Sequence, residues 1–293
     1  MRVSFTNEIK NKLSEKKPEC DFCSVAELAG IVRFSGAARG IQINITTENE
    51  KVARCVKRLL KDSFGIDVSY EYRASAKYYR FDLDNACADM VYTELMLGGG
   101  DVKELMPFDC CKRAFLTGAF LGGGSINDPQ RSYHLEFDTK IKEYGDAVLQ
   151  VLRDMDIPAK MTERKGRYVV YLKGFEAITT ALGLIGADSA ALQFYSVSVE
   201  KELRNDVNRK VNCENANLDK LAQAASKQIH AITKIQKSVG LGALSDTLRE
   251  MAELRLEYPE ESLKELGERL NPPIGKSGVN HRLSRIIEFA DKL

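Results

Sequence analysis

The stretch from Arg269 to Ile287 holds no acidic residue, yet it gathers Lys276, Ser277, Asn280, His281, Arg282 and Arg285. These residue types suit a nucleic acid. Arginine reads guanine with two parallel hydrogen bonds and asparagine reads adenine in the same way. A lysine and a serine at the start of a helix suit phosphate. Gly275-Lys276-Ser277 also has the closing residues of a phosphate-binding loop. The glycine such a loop requires upstream falls on Leu270, and no strand pattern precedes it, so nucleotide hydrolysis is not expected. Cys20-x-x-Cys23 and Cys110-Cys111 have spacings that zinc uses. Because Cys23 and Cys111 are equivalent positions of an internal repeat, buried small thiols explain them better, and no metal or other cofactor is expected. The histidines, His134, His230 and His281, lie far apart and form no ligand pattern.

The elements that must position the basic stretch follow a helix-turn-helix pattern. Ser262 and Glu265 have the Ser-x-x-Glu spacing of a capping box, which satisfies orphan backbone donors and starts a helix from Leu263 to Leu270. Asn271-Pro272-Pro273 stops it. A second helix is expected from about Ser277 to Ala290, with Val279, Leu283, Ile286 and Ile287 turned to the core. In this motif the second helix enters the major groove and the first crosses the backbone. Ser262, Lys264, Lys276, Ser277, Asn280, His281, Arg282 and Arg285 are therefore candidate DNA-binding residues, an ordinary helical hairpin being the alternative. Upstream, Leu218, Leu221, Ala225, Ile229, Ile232 and Ile235 share one face of a helix. Another helix, from about Ser245 to Glu257, turns Leu248, Met251 and Ala252 inward. The asparagines at 205, 208, 212, 215 and 217 mark a linker, either touching phosphates or simply solvated.

The N-terminal region repeats itself. Cys23, Ala26, Leu28, Gly30 and Gly36 recur as Cys111, Ala114, Leu116, Gly118 and Gly124 at a constant offset of 88 residues. An alternating strand follows each copy, Ile41 to Thr46 and Tyr133 to Phe137, then a helix, Glu48 to Asp62 and Lys140 to Met155. Hairpins come next, Asp67 to Tyr72 with Lys77 to Leu83, and Ala159 to Glu163 with Arg167 to Leu172. A final helix closes each half, Asn85 to Leu97 and Phe175 to Leu184, with a glycine at its end. Two such halves imply a pseudo-two-fold axis, where Gly30 and Gly118 let the motif helices approach closely.

These motif helices resemble the two LAGLIDADG helices of homing endonucleases, and their form resembles the WhiA family of bacterial DNA-binding regulators. The resemblance rests on Ser4-Phe5, Lys12-Leu13, Ala26-Glu-Leu-Ala-Gly30, Phe120-Leu-Gly-Gly-Gly-Ser125, Asp128-Pro129 and Tyr133-His-Leu-Glu136. It continues through Asn208-Arg209, Val211-Asn-Cys-Glu214, Ala216-Asn217, Lys220, Ser262-Leu-Lys-Glu-Leu-Gly267, Pro272-Pro273 and Lys276-Ser-Gly-Val-Asn-His-Arg-Leu283. It implies an α+β fold: a duplicated LAGLIDADG-like platform of helix, strand, helix, hairpin and helix over residues 1–200, with halves at about 1–100 and 107–190. An all-α helix-turn-helix domain over residues 205–293, resembling region 4 of bacterial sigma factors, follows it. The implied role is regulation of cell division, chromosome segregation or sporulation.

In the nucleases the eighth motif position is acidic, and the two acids hold the divalent metal at the scissile phosphates. Counting from Leu28 and Leu116 places Ser35 and Gly123 there, with Arg33 and Leu121 at the sixth positions, so no catalytic residues and no enzyme activity are expected. Asp128, beside Pro129, reads as a turn residue. Platform contacts to DNA would come from Arg73, Lys77, Arg80, Arg164, Lys165 and Arg167, with Tyr79; the same charges equally suit solvated hairpin strands. The expected partner is double-stranded DNA. In a second reading the platform docks a partner transcription regulator or an RNA polymerase sigma factor.

Composition bounds these readings. The chain has 293 residues, 44% hydrophobic and 29% charged, which argues against a largely disordered protein and is enough for two cores. Lysine and arginine number 43 against 42 acids, a net charge of +1, so nucleic acid must be met by local patches. Met1 to Cys20 is amphipathic with no long apolar run, which predicts neither signal peptide nor membrane span. With an odd count of 7 cysteines this points to reduced thiols in a cytoplasmic, nucleoid-associated protein.

Overall fold

The computed structural model describes residues 4–39, 42–81 and 83–293. Ile41 and Asp82, both within strands predicted above, lie outside the described residues. The chain divides into two compact units, Met1–Glu200 and Lys201–Leu293.

In the first unit, α1 (Phe5–Ser14) precedes α2 (Asp21–Ser35), β1 (Gly36–Arg39), β2 (Gln42–Thr47), α3 (Glu50–Phe64), β3 (Tyr70–Arg73), β4 (Tyr78–Phe81) and α4 (Asn85–Glu94). The series then repeats as α5 (Asp109–Gly123), β5 (Gly124–Ile126), β6 (His134–Thr139), α6 (Lys142–Asp154), β7 (Lys160–Arg164), β8 (Arg167–Lys173) and α7 (Phe175–Leu184). Both sheets are antiparallel with one topology, β1-β2-β4-β3 and β5-β6-β8-β7, so the duplication extends to strand order. Strands β1 and β5 run directly out of the motif helices and were not anticipated. Strands of four and three residues, mostly small ones, are too short to show alternation.

Helix α2 buries Cys23, Ala26, Glu27, Leu28, Ala29, Gly30, Ile31, Val32, Arg33 and Phe34, and α5 packs against it. A Cβ on Gly30 would lie 2.3 Å from the Phe115 carbonyl oxygen, and one on Gly118 would lie 1.9 Å from that of Glu27. The two glycines thus let the backbones touch, which offsets their roughly 1 kcal/mol propensity cost. Helix α3 is amphipathic: Asn49 Oδ1 accepts from the Lys51 and Val52 amides, and Val52, Val56, Leu59 and Leu60 are buried. Each such burial contributes about 1.5–3 kcal/mol.

Two local expectations change. Helix α4 ends before any glycine: Leu95 closes it and Met96 takes the left-handed turn at φ 51°, whereas after α7 Gly186 does so at φ 76°. The cysteines expected to be uniformly buried divide, Cys23 and Cys111 being buried and Cys20 and Cys110 half-buried.

Helix α8 (Asp188–Ser238) crosses the unit boundary, so the predicted linker is helical instead. No Gly or Pro interrupts it, and asparagine alone does not break a helix. Leu218 and Leu221, expected inside, are 62% and 50% exposed. The second unit's core joins Ala231, Ile232 and Ile235 of α8 to Met251 and Ala252 of α9 (Asp246–Glu257). Leu266 of α10 (Leu263–Arg269) and Val279, Leu283, Ile286 and Ala290 of α11 (Lys276–Asp291) complete it. Ile287 is only partly buried there. Among the described residues no helix is long and apolar enough to cross a membrane.

Candidate nucleic-acid interface

The capping box forms as the spacing predicts: the Glu265 amide donates to Ser262 Oγ at 3.4 Å, and the Ser262 amide to Glu265 Oε2 at 2.8 Å. Buried Arg255 donates to the Glu261 carbonyl at 2.8 Å and so ties α9 to the start of α10. At the other end of α10 the Ile274 amide donates to the Gly267 carbonyl at 3.0 Å. A Cβ on Gly267 would lie 2.2 Å from the Ile274 oxygen and 3.1 Å from Val279 Cγ2 of the second helix, so this glycine admits both the turn and the close approach of that helix.

Helix α11 starts at Lys276 with no side-chain cap and no acid in its first turn. Its first amide donors therefore have no side-chain acceptor, the condition under which a helix start attracts an anion. Val279, Leu283 and Ile286 anchor one face, which leaves Lys276, Ser277, Asn280, His281 and Arg285 exposed. Arg282 departs from this group. Its side chain is only 24% exposed, and Nη1 lies 3.8 Å from Glu250 Oε2 on α9.

Ser262, its hydroxyl committed to the cap, lines a groove of about 890 Å³ together with Asn280, Leu218, Leu221 and Ile229. Lys264 is exposed, 3.7 Å from Glu268. Arg269, at the head of the acid-free stretch, stacks 3.8 Å from the Tyr258 ring centroid and is ion-paired with Glu261. Sequence reasoning missed both constraints, since Glu250 and Glu261 lie outside the acid-free stretch.

Ser35 and Gly123 lie together where α2 and α5 end. A Cβ on Gly123 would lie 2.5 Å from the Asp138 carbonyl oxygen and 2.9 Å from that of Phe34, so backbone occupies the space a carboxylate would need. Ser35 Oγ is buried without a hydrogen-bond partner. One neutral hydroxyl cannot replace two carboxylates around a divalent ion. Arg33 serves structure: Nη2 donates to the Leu95 carbonyl at 2.7 Å, and burial pulls the guanidinium down to about 10. Leu121 is buried, and Asp128 Oδ1 accepts from the Gln130 amide at 2.9 Å within its turn.

The platform's basic residues sit at the two hairpins. Register places Arg73 and Arg80 on the open face of the first sheet with Glu71, and Arg73 lies 3.2 Å from that acid. Lys77 is exposed at the turn. In the second hairpin Arg164 and Arg167 face each other across Lys165 and Gly166, both at positive φ, the geometry of a two-residue turn. Arg164 and Lys165 are exposed, but Arg167 Nε donates to both Asp138 oxygens at 2.7 and 2.8 Å. Glu136, 3.1 Å from His134 Nε2, adds further negative charge to that face.

Three family models match the chain in succession. They are the WhiA N-terminal LAGLIDADG-like domain over residues 21–81, the WhiA LAGLIDADG-like domain over 112–204 and the WhiA C-terminal HTH domain over 207–290. The probable cell division protein WhiA of Alkaliphilus metalliredigens is 42% identical, the alignment covering 99% of this chain and 98% of that protein. The corresponding protein of Heliobacterium modesticaldum is 40% identical over 99% and 96%. The crystal structure of full-length WhiA from Thermatoga maritima covers 99% of both chains at 27% identity with a TM-score of 0.63. The N-terminal LAGLIDADG domain of WhiA, at 23% identity and a TM-score of 0.53, matches over 64% of this chain and 94% of that one and shows the fold alone.

Proposed function

Since this chain belongs to the WhiA family, we propose that it is a sequence-specific transcription regulator that grips double-stranded DNA through its helix-turn-helix and does not cut it. One observation carries the reading: the first turns of α11 expose Lys276, Ser277, Asn280, His281 and Arg285 on the second helix of the motif, with no nearby acid in that turn. Ser262 and Lys264 at the start of α10 contact the backbone, and Arg282 joins the readers once released from Glu250. Residues 205–293 act as the DNA-binding domain. Relatives named as cell division proteins support a role in cell division, with chromosome segregation or sporulation as the related processes, on the nucleoid in the cytoplasm.

The degenerate platform, residues 1–200, has a different task. Its second open face mixes Glu136 and Asp138 with Lys160, Arg164 and Lys173, a balance that suits docking a partner regulator or a sigma factor as well as phosphate contact. In the alternative it touches DNA through Arg73, Lys77, Arg80, Arg164 and Lys165. The absence of any room for a carboxylate at Gly123 supports grip without cleavage.

A genome-wide occupancy map supplies a cognate duplex for the test. Arg285→Ala should weaken binding to it by about 1–3 kcal/mol while leaving random duplex nearly unchanged. Lys276→Ala should weaken both alike and lower the salt slope by about one. The cognate duplex should stay intact with Mg²⁺. Equal affinity for cognate and random duplex, or metal-dependent nicking, overturns the proposal.

A further inference from the structure

We propose that Cys20, Cys23, Cys110 and Cys111 bind one zinc ion that clips the two halves of the platform together at the starting ends of α2 and α5. The four sulfurs converge although their pairs lie 90 residues apart in the chain. Cys20 Sγ is 3.3 Å from Cys23 Sγ and 3.9 Å from Cys110 Sγ. Cys111 Sγ is 3.9 Å from both Cys23 Sγ and Cys110 Sγ, and all four lie within 4.8 Å of one another. A tetrahedral ion with Zn–S bonds of about 2.3 Å requires sulfurs about 3.8 Å apart, so side-chain adjustments of up to about 1 Å close the site. A four-iron cluster holds its cysteines outside a cube of iron and sulfide and needs them farther apart.

The donor set decides the class of ion and its role. Four thiolates with neither carboxylate nor imidazole select a soft or borderline cation, and a closed four-sulfur shell leaves no position for water or substrate. Cys23 and Cys111 lie buried within the first turns of α2 and α5, while half-buried Cys20 and Cys110 leave a short path to solvent. Two further links join the halves at this end: Arg113 Nη2 to Glu19 Oε2 at 3.1 Å, and the edge-on pair Phe22 and Phe108 with centroids 6.0 Å apart. The remaining cysteines, Cys55, Cys87 and Cys213, stand outside the cluster. Packing of four inert thiols would explain burial, but not four sulfurs disposed as the corners of one coordination polyhedron.

The test uses the full chain, purified under reducing conditions from zinc-supplemented cells. Elemental analysis should find one zinc per chain. Replacing it with Co²⁺ should produce the intense visible bands and thiolate charge-transfer of a tetrahedral four-sulfur site. A chelator should release four additional titratable thiols and lower the melting temperature. The double variant Cys20→Ser and Cys110→Ser should lose the ion, and Cys213→Ser should keep it. The proposal fails if folded wild-type protein takes up neither zinc nor cobalt in stoichiometric amount, if the double variant retains the ion, or if the site fills with iron and sulfide. The cobalt spectrum of the wild-type chain decides the matter even where a serine variant does not fold.

Discussion

Glu27 lies mid-way along α2, facing Cys55 Sγ at 3.7 Å, and burial raises its carboxyl from 4.5 to about 7 despite the opposing charge of Arg58. The folded protein therefore keeps a proton that the unfolded chain has already released. This group's contribution is full below about pH 4.5 and declines as pH rises to about 7; above that it is flat. Glu27→Gln should remove the decline, so that the variant's stability relative to wild type is greater at pH 8 than at pH 4 by on the order of 3 kcal/mol. Urea unfolding at the two pH values checks it; an identical difference at both would refute the assignment. Much of the candidate site was legible at this level, because the spacing of Val279, Leu283 and Ile286 already implied that Ser277, His281 and Arg285 point outward. The ion pairs of Arg282 and Arg167 were not legible for one reason: their partners, Glu250 and Asp138, come from other elements, and no local pattern announces which charge a neighbouring helix or strand will bring.

Helices with one wet face declared themselves through periodicity, as α3 and α11 did, and α10 through its cap. The motif helices α2 and α5 are covered nearly all round, so their apolar residues show no stripe; only the repeat and its glycines revealed them. A linker was expected where α8 runs on because asparagine-rich composition was given more weight than the absence of a helix breaker. The packing of α2 on α5 is also the most sensitive junction in the first unit. Gly118→Ala would drive a methyl group to 1.9 Å from the Glu27 carbonyl oxygen, and rigid helix backbone cannot yield as a side chain would. It should cost about 3 kcal/mol or more, the upper range of overpacking, in a denaturant melt. Gly166→Ala, with open space around its Cβ, should show only the smaller penalty of an unfavourable φ.

Two compact units with separate apolar cores allow a division of labour to be tested directly. If the helix-turn-helix alone reads DNA, residues 201–293 should reproduce the affinity and salt dependence of the full chain for the cognate duplex. A loss of tenfold or more would assign DNA contact to the platform hairpins. Fluorescence anisotropy on both proteins separates the outcomes. The duplication was readable from five paired identities, and with it the layout of the platform; which functions each half retained was not, because that depends on the close packing where α2 and α5 end. There the carbonyl oxygens of Asp138 and Phe34 fill the volume that a side chain on Gly123 would claim. The glycine thus acts as a steric block: an aspartate at this position would wedge the two helix tips apart before any cation could settle between them.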